Sequence, residues 1–372
     1  MTHRERFLNI MNFEAVDRVP NYELGVWPQA VDRWYGEGLP RDAARFNWFE
    51  GEAYFGLERR AFAPIDISMQ PPFEYEVLEE TNRYLTARHA NGVVTKALKE
   101  GTVRGGRNCM DQYIDFPVVD RESFRAIRKR YNPESPLRYP QWWDEWVRMW
   151  KTRDYPLCLL TNGTFGLYSQ MRSWVGTENL SLMFFDDPAL IEEMVETHVD
   201  FLLALVEKAL NAVDFDYFNF FEDFAGKGGP LISPQLFRKF LLPGYKRVIE
   251  KLRSHGIRHF WLDSDGNTEA VIPLLIESGI TCHWPLELAS DMDPVRLRKE
   301  YGRALAFAGG IDKRELSKDK AAIGRELYAR IPPMLESGGF IPHVDHTVPP
   351  EVPYANFQYY LELKDRLLSG GS

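Results

Sequence analysis

Gly339-Phe340-Ile341-Pro342-His343-Val344-Asp345-His346-Thr347-Val348-Pro349-Pro350 ends an apolar strand-like run in a knot of ionisable side chains. Two histidines and an aspartate fall within four residues, flanked by prolines, a pattern that suits neither a plain surface turn nor a plain core strand. Other apolar runs finish the same way. Phe218-Asn219-Phe220-Phe221 leads into Glu222-Asp223, and Phe260-Trp261-Leu262 into Asp263-Ser264-Asp265. Acids are seldom placed beside fully apolar runs without a partner or a task. Strands that each end in a carboxylate or an imidazole predict a shared mouth where those ends converge, as in a barrel enzyme.

The second half of the chain repeats a strand-then-helix cadence. Asp216 to Phe221 reads as a buried strand. Ser233-Pro234 then opens a helix, with Ser as N-cap and Pro at the first helical position. Its apolar stripe runs through Phe237, Phe240, Leu241, Tyr245, Val248, Ile249 and Leu252 to a stop at Gly256. Strands are predicted at Arg258 to Asp263, Thr281 to Leu286, Ala304 to Ala308 and Phe340 to Val344, with helices between them and a closing helix from Asn356 to Leu368. Upstream, after a helix from Arg4 to Asn12, Val19 to Leu24, Ile65 to Met69 and Leu157 to Asn162 are read as the first three strands. Eight such units predict an α/β fold, a (β/α)8 TIM-type barrel, as one domain over residues 1–372. A doubly wound sheet is the competitor, but no Gly-x-Gly-x-x-Gly turn follows any strand.

Two insertions are expected, near 73–100 and 120–155. The first alternates in short β-rich runs around an Asn91-Gly92 turn and reads as an antiparallel meander. The second is helical and holds Trp142, Trp143, Trp146 and Trp150; the last three share a face that would pack on the barrel, a lid or docking surface being the alternative.

Composition narrows the function. A formal charge of −9 argues against nucleic-acid binding. Three separated cysteines imply no disulfide framework, the N-terminal residues lack a signal-peptide stretch, and no run is long enough to span a membrane. A cytoplasmic setting is expected, with the oligomeric state open, a homodimer included.

The strand ends supply the candidates: Asn162, Glu222, Asp223, Asp263, Asp265, Glu287, Asp312 and His343 to His346. Each acid alone could be an N-cap or a loop ion pair. Glu222, Asp265 and His346 together are read as a catalytic set. A carboxylate and an imidazole can trade a proton near neutral pH, and carboxylates with His can hold a divalent metal. Spacing alone does not choose between these.

Three motifs in order resemble the uroporphyrinogen decarboxylase superfamily. They are Arg4-Glu5-Arg6-Phe7-Leu8-Asn9-Ile10-Met11 followed by Asp17-Arg18-Val19-Pro20, then Gly229-Pro230-Leu231-Ile232-Ser233-Pro234 with Phe237, Phe240, Pro243 and Tyr245. The third is His346-Thr347-Val348-Pro349-Pro350-Glu351-Val352-Pro353 with Asn356. The resemblance implies a (β/α)8 barrel, and either porphyrinogen decarboxylation or methyl transfer to a corrinoid protein. The decarboxylases carry an arginine motif for the propionates, whereas the segment Asn21 to Trp27 has no arginine. Thiol-methylating members bind zinc through His-x-Cys and a later Cys; the matching places here are Asp263-Ser264-Asp265 and His346.

Those harder ligands suit oxygen chemistry. The resemblance therefore implies a methyltransferase that demethylates a small methoxylated or methylated compound onto a corrinoid (cobalamin) protein. Glu222, Asp265 and His346 would be catalytic, and Asp263, Asp265 and His346 the ligands of a divalent metal such as zinc. Trp27, Phe221, Phe224 and Trp284 would sandwich a methyl ether, with Asn162, Glu287 and His343 as further substrate contacts. The rival expectations are a decarboxylase of a small carboxylic acid or porphyrinogen-like substrate, with Lys227 as its cation, and a non-catalytic binding barrel.

Overall fold

The computed structural model describes residues 1–43, 48–103, 106, 109–161 and 163–370. Seven parallel strands form its central sheet: β1 (Ala61–Phe62), β2 (Leu157–Cys158), β3 (Tyr217–Phe221), β4 (His259–Asp263), β5 (Cys282–Trp284), β6 (Ala306–Ile311) and β7 (Phe340–Val344). Each pairs with the next in chain order. A sequential parallel order with helical crossovers curls the sheet, consistent with a TIM-type barrel.

Side-chain alternation then sorts the two faces. Tyr217, Trp261, Cys282, Trp284 and Ala306 belong to an inner cluster, while Phe218, Phe220, Phe260 and Leu262 pack outward under the helices. Asp263 is in phase with Trp261, so its carboxyl points inward.

The segment predicted as the first strand, Val19 to Leu24, carries no strand pairing. Pro20 has no N–H to give a ladder. The segment is nonetheless tied to both sheet edges: Glu58 N–H donates to the Asn21 carbonyl at 2.9 Å, and Val26 bridges Val348 in parallel. Glu23, inside this segment, accepts from Val344 N–H at 3.2 Å and from the ammonium of the fully buried Lys364 and the hydroxyl of Tyr360.

The second predicted strand is also corrected. The ladder forms at Ala61–Phe62, and Ile65 to Met69 is loop. Ile65, Ile67 and Met69 are buried in alternation, but Pro64 interrupts the donors and the Asp66 carboxylate accepts from Ser68 N–H at 2.8 Å, bending the chain away. Alternating burial here is packing without pairing.

The meander is a four-stranded antiparallel sheet of Glu76–Glu80, Tyr84–Arg88, Val94–Leu98 and Gln112–Asp115, the last of which the sequence reading missed. Gly92 takes a φ of +83° at the turn, as Asn-Gly predicts. The edge strand Glu76–Glu80 is exposed throughout, and its glutamates discourage edge-to-edge pairing. In the helical stretch, Trp143 and Trp150 are buried in the core cluster and stack edge-on at 5.5 Å, so that face packs inward. Ser233 caps the helix after β3, its hydroxyl accepting from Leu236 N–H at 3.2 Å. A π-turn at Phe237–Leu241 follows, where Pro243 cannot donate to the Lys239 carbonyl.

Among the described residues, no helix is long and apolar enough to cross a membrane.

Candidate active site

The strand ends meet around a cavity of about 570 Å³. Ladder register sets Phe221, Asp263 and Trp284 opposite one another at the ends of β3, β4 and β5. All three line the cavity, with Asp223, Asp265 and His346 beside them. Trp48, 54% exposed, stands at its mouth, with Phe49 and Phe62 further along the wall. A volume of this size and an aromatic lining suit a small organic ligand.

His346 Nε2 lies 3.3 Å from Asp265 Oδ2, and its Nδ1 is 2.8 Å from the Thr347 hydroxyl. Burial opposes the imidazolium, but the Asp265 hydrogen bond and charge outweigh it and raise the His346 pKa above its ordinary value. Asp263 is in the opposite situation. Its carboxyl has no hydrogen-bond partner among the described residues, and burial first, then the charges of Asp265 and Asp223, push its pKa well above the usual aspartate range. The cavity therefore sets a carboxyl driven toward its protonated form beside an aspartate–imidazole pair that favours the charged imidazole.

Glu222 is committed elsewhere. Its carboxylate accepts from Leu167 N–H at 2.5 Å, Tyr168 N–H at 3.3 Å, Ser169 N–H at 2.9 Å and the Tyr245 hydroxyl. It thus satisfies the open donors of the helix Leu167–Val175 and is 1% exposed. Burial outweighs those hydrogen bonds and raises its pKa, yet both oxygens are occupied. The structure places Glu222, Asp265 and His346 on the one cavity, with Asp265 and His346 in contact and the Glu222 oxygens taken up by a helix. Asp223 pairs with Arg172 at 2.5 Å.

The expected substrate contacts divide. Phe221 and Trp284 line the cavity; Trp27, Phe224, Glu287 and His343 do not. Trp27 caps the helix Pro28–Gly36 and bonds Val348. Phe224 is fully buried against Phe237 and Tyr168. Glu287 accepts from Gly266 N–H at 3.0 Å and pairs with Lys313 at 2.8 Å. His343 turns Nδ1 to the Val344 carbonyl at 2.7 Å, and burial lowers its pKa to about 3. Asn162 lies outside the described residues. Asp312 caps the helix Lys313–Leu316.

The metal reading does not fit. Among the described residues, no three His, Cys, Asp or Glu side chains converge as a group able to hold a metal ion. Asp263, Asp265 and His346 share the cavity, but Asp265 and His346 turn to each other at 3.3 Å rather than to a common point with Asp263.

Sequence reasoning also missed Arg60. It is 7% exposed and lines the cavity, with Nη2 donating to the carbonyls of Glu23 at 3.1 Å and Phe49 at 3.3 Å. Arg60 directly precedes β1 and stands two residues before Phe62, which also lines the cavity.

A sequential parallel sheet with an acid-bearing aromatic cavity at its strand ends defines an α/β protein of TIM-barrel type. The family model for uroporphyrinogen decarboxylase (URO-D) matches residues 113–367, and the chain belongs to that family. Among solved structures it is similar to a methyltransferase from Methanosarcina mazei, with a TM-score of 0.58 and 16% identity over 98% of this chain and 99% of that one. A B12-independent methionine synthase from Shewanella sp. W3-18-1 aligns less well, with a TM-score of 0.30 and 13% identity over 63% of this chain and 66% of that one. Among curated proteins, none matches by sequence.

Proposed function

We propose that this chain is a methyltransferase that removes a methyl group from a small methyl ether and passes it to a corrinoid carried by a partner protein. The observation that carries the reading is Asp263: an inward carboxyl at a strand end, without a hydrogen-bond partner among the described residues, which burial and the charges of Asp265 and Asp223 drive toward its protonated form. An ether oxygen is a poor leaving group until it gains a proton, and a retained proton at the cavity wall supplies it. In the step, the oxygen–methyl bond breaks and its electron pair stays on oxygen. The Asp263 proton moves to that oxygen, and the methyl group leaves for the acceptor.

Asp265 and His346 are positioning residues in this scheme. The negative Asp265 keeps the Asp263 proton in place, and the His346 cation offsets the charge left on Asp263 after transfer. Phe221 and Trp284 face the ether from adjacent strand ends. A docked corrinoid supplies the methyl acceptor, and the mouth beside the half-exposed Trp48 is where such a carrier would approach. Glu222 holds the helix that begins at Leu167 and takes no part in proton transfer. The fold class and the methyltransferase neighbour support the reading, and the extended segment at 19–26 would be the eighth stave of the barrel.

Incubation with reduced cobalamin and a panel of methyl aryl ethers tests it. The absorbance change of cobalamin methylation is expected with at least one ether. Release of CO2 from a carboxylic acid without that change favours the decarboxylase reading, and binding without turnover the non-catalytic one.

A further inference from the structure

Arg60 is a buried arginine that the Glu50 carboxylate reaches only through its charge, with no hydrogen-bonded carboxylate among the described residues. Among the described residues it makes no ion pair, and its hydrogen bonds use Nη2 alone. The free donors are not sealed in protein. The buried Nε atoms of Arg153 and Arg298 are enclosed without partners, whereas no Arg60 nitrogen is, so Nε and Nη1 open on the cavity. Its guanidinium lies 5.1 Å from the Tyr22 ring and 5.6 Å from the Phe62 ring, which fix its plane. A buried cation without a counter-ion is costly, and a site that retains one is built for an anion.

Resting on the methyl-ether reading, we infer that the substrate carries a single carboxylate, held by Arg60 as a handle that does not react. The class is a methoxylated aromatic carboxylic acid. Arg60 and Asp263 line the one cavity from different strands, Arg60 just before β1 and Asp263 at the end of β4. An elongated ligand therefore binds with its carboxylate toward Arg60 and its ether oxygen toward Asp263, the ring lying against Phe62, Phe221 and Trp284. Charge limits the class to one anionic group. Among the described residues, Glu50, Asp223 and Asp265 share the cavity with one arginine, so a polycarboxylate would meet more repulsion than pairing there.

Binding of methoxybenzoates, and of the matching neutral methoxybenzamides, to the full chain is measured by calorimetry without cobalamin. The acid is expected to bind about tenfold to a hundredfold more tightly than its amide, the range for one charge-assisted hydrogen-bond pair. Arg60→Gln should erase that preference. Arg60→Lys should restore part of it. Equal binding of acid and amide by the wild-type protein overturns the inference whether or not the variants fold. Acid-selective, Arg60-dependent binding without methyl transfer would uphold the carboxylate site while removing the methyltransferase reading. Release of the carboxylate as CO2 overturns its assignment as a handle.

Discussion

Asp265 reaches His346 across the barrel mouth, 3.3 Å from carboxylate oxygen to Nε2, and Asp263 stands two residues before that carboxylate with no hydrogen-bond partner among the described residues. One aspartate is paired and the other is not, although they sit on the same turn of chain. That asymmetry separates their roles. The paired carboxylate is engaged by an imidazole, and the unpaired one in its field is driven toward keeping its proton.

Asp263→Asn should therefore cut methyl transfer by about a hundredfold or more, the usual contribution of a positioned general acid. Thermal unfolding at neutral pH should show no loss of stability, because no hydrogen bond is removed. The wild-type rate should fall at high pH as Asp263 ionises, and the residual rate of the variant should lack that limb. An unchanged rate would remove Asp263 from the mechanism.

The two groups also predict a pH dependence of stability. Asp263 binds its proton more tightly when folded than its ordinary value of 3.8, so it makes stability fall as pH rises from there through its folded pKa. His346 has a folded pKa above 6.5, so the stability it contributes is complete below 6.5 and is lost as pH rises through the folded value. In urea titrations, Asp263→Asn should flatten the earlier fall and His346→Ala the later one. His346→Ala should also slow turnover without abolishing it, since the cation supports the acid and does not touch the ether.

Glu222→Ala should act on folding. It leaves the backbone donors of Leu167, Tyr168 and Ser169 and the Tyr245 hydroxyl without their acceptor, in a buried place. A loss of about 1–3 kcal/mol is expected from denaturant unfolding, with activity per folded molecule retained. Full stability with lost activity would return Glu222 to the catalytic set.

How far the sequence carried the site depends on how local each signal is. The Ser233-Pro234 cap, the Asn91-Gly92 turn and the Phe260-Trp261-Leu262 run before Asp263 are written in adjacent residues, and all appear where expected. The alternation at Ile65 to Met69 was legible as burial but not as pairing, because pairing is decided by Pro64 and the Asp66 turn. Glu222 looked like its catalytic neighbours because its acceptor role is set by a helix 55 residues upstream. Arg60 was hidden for the converse reason. What marks it is that no described carboxylate forms an ion pair with it, although Glu50 shares its cavity, and a one-dimensional chain does not display a missing contact.

The most direct measurement follows the methyl carbon itself. A methoxybenzoate labelled with ¹³C in its methyl group is incubated with the protein and reduced cobalamin, and the label is located by NMR. The account predicts that the label moves to cobalt, that a free hydroxybenzoate is left with its carboxylate intact, and that Asp263→Asn slows this transfer. Label that stays on oxygen, while the protein converts the acid by releasing CO2, would contradict it.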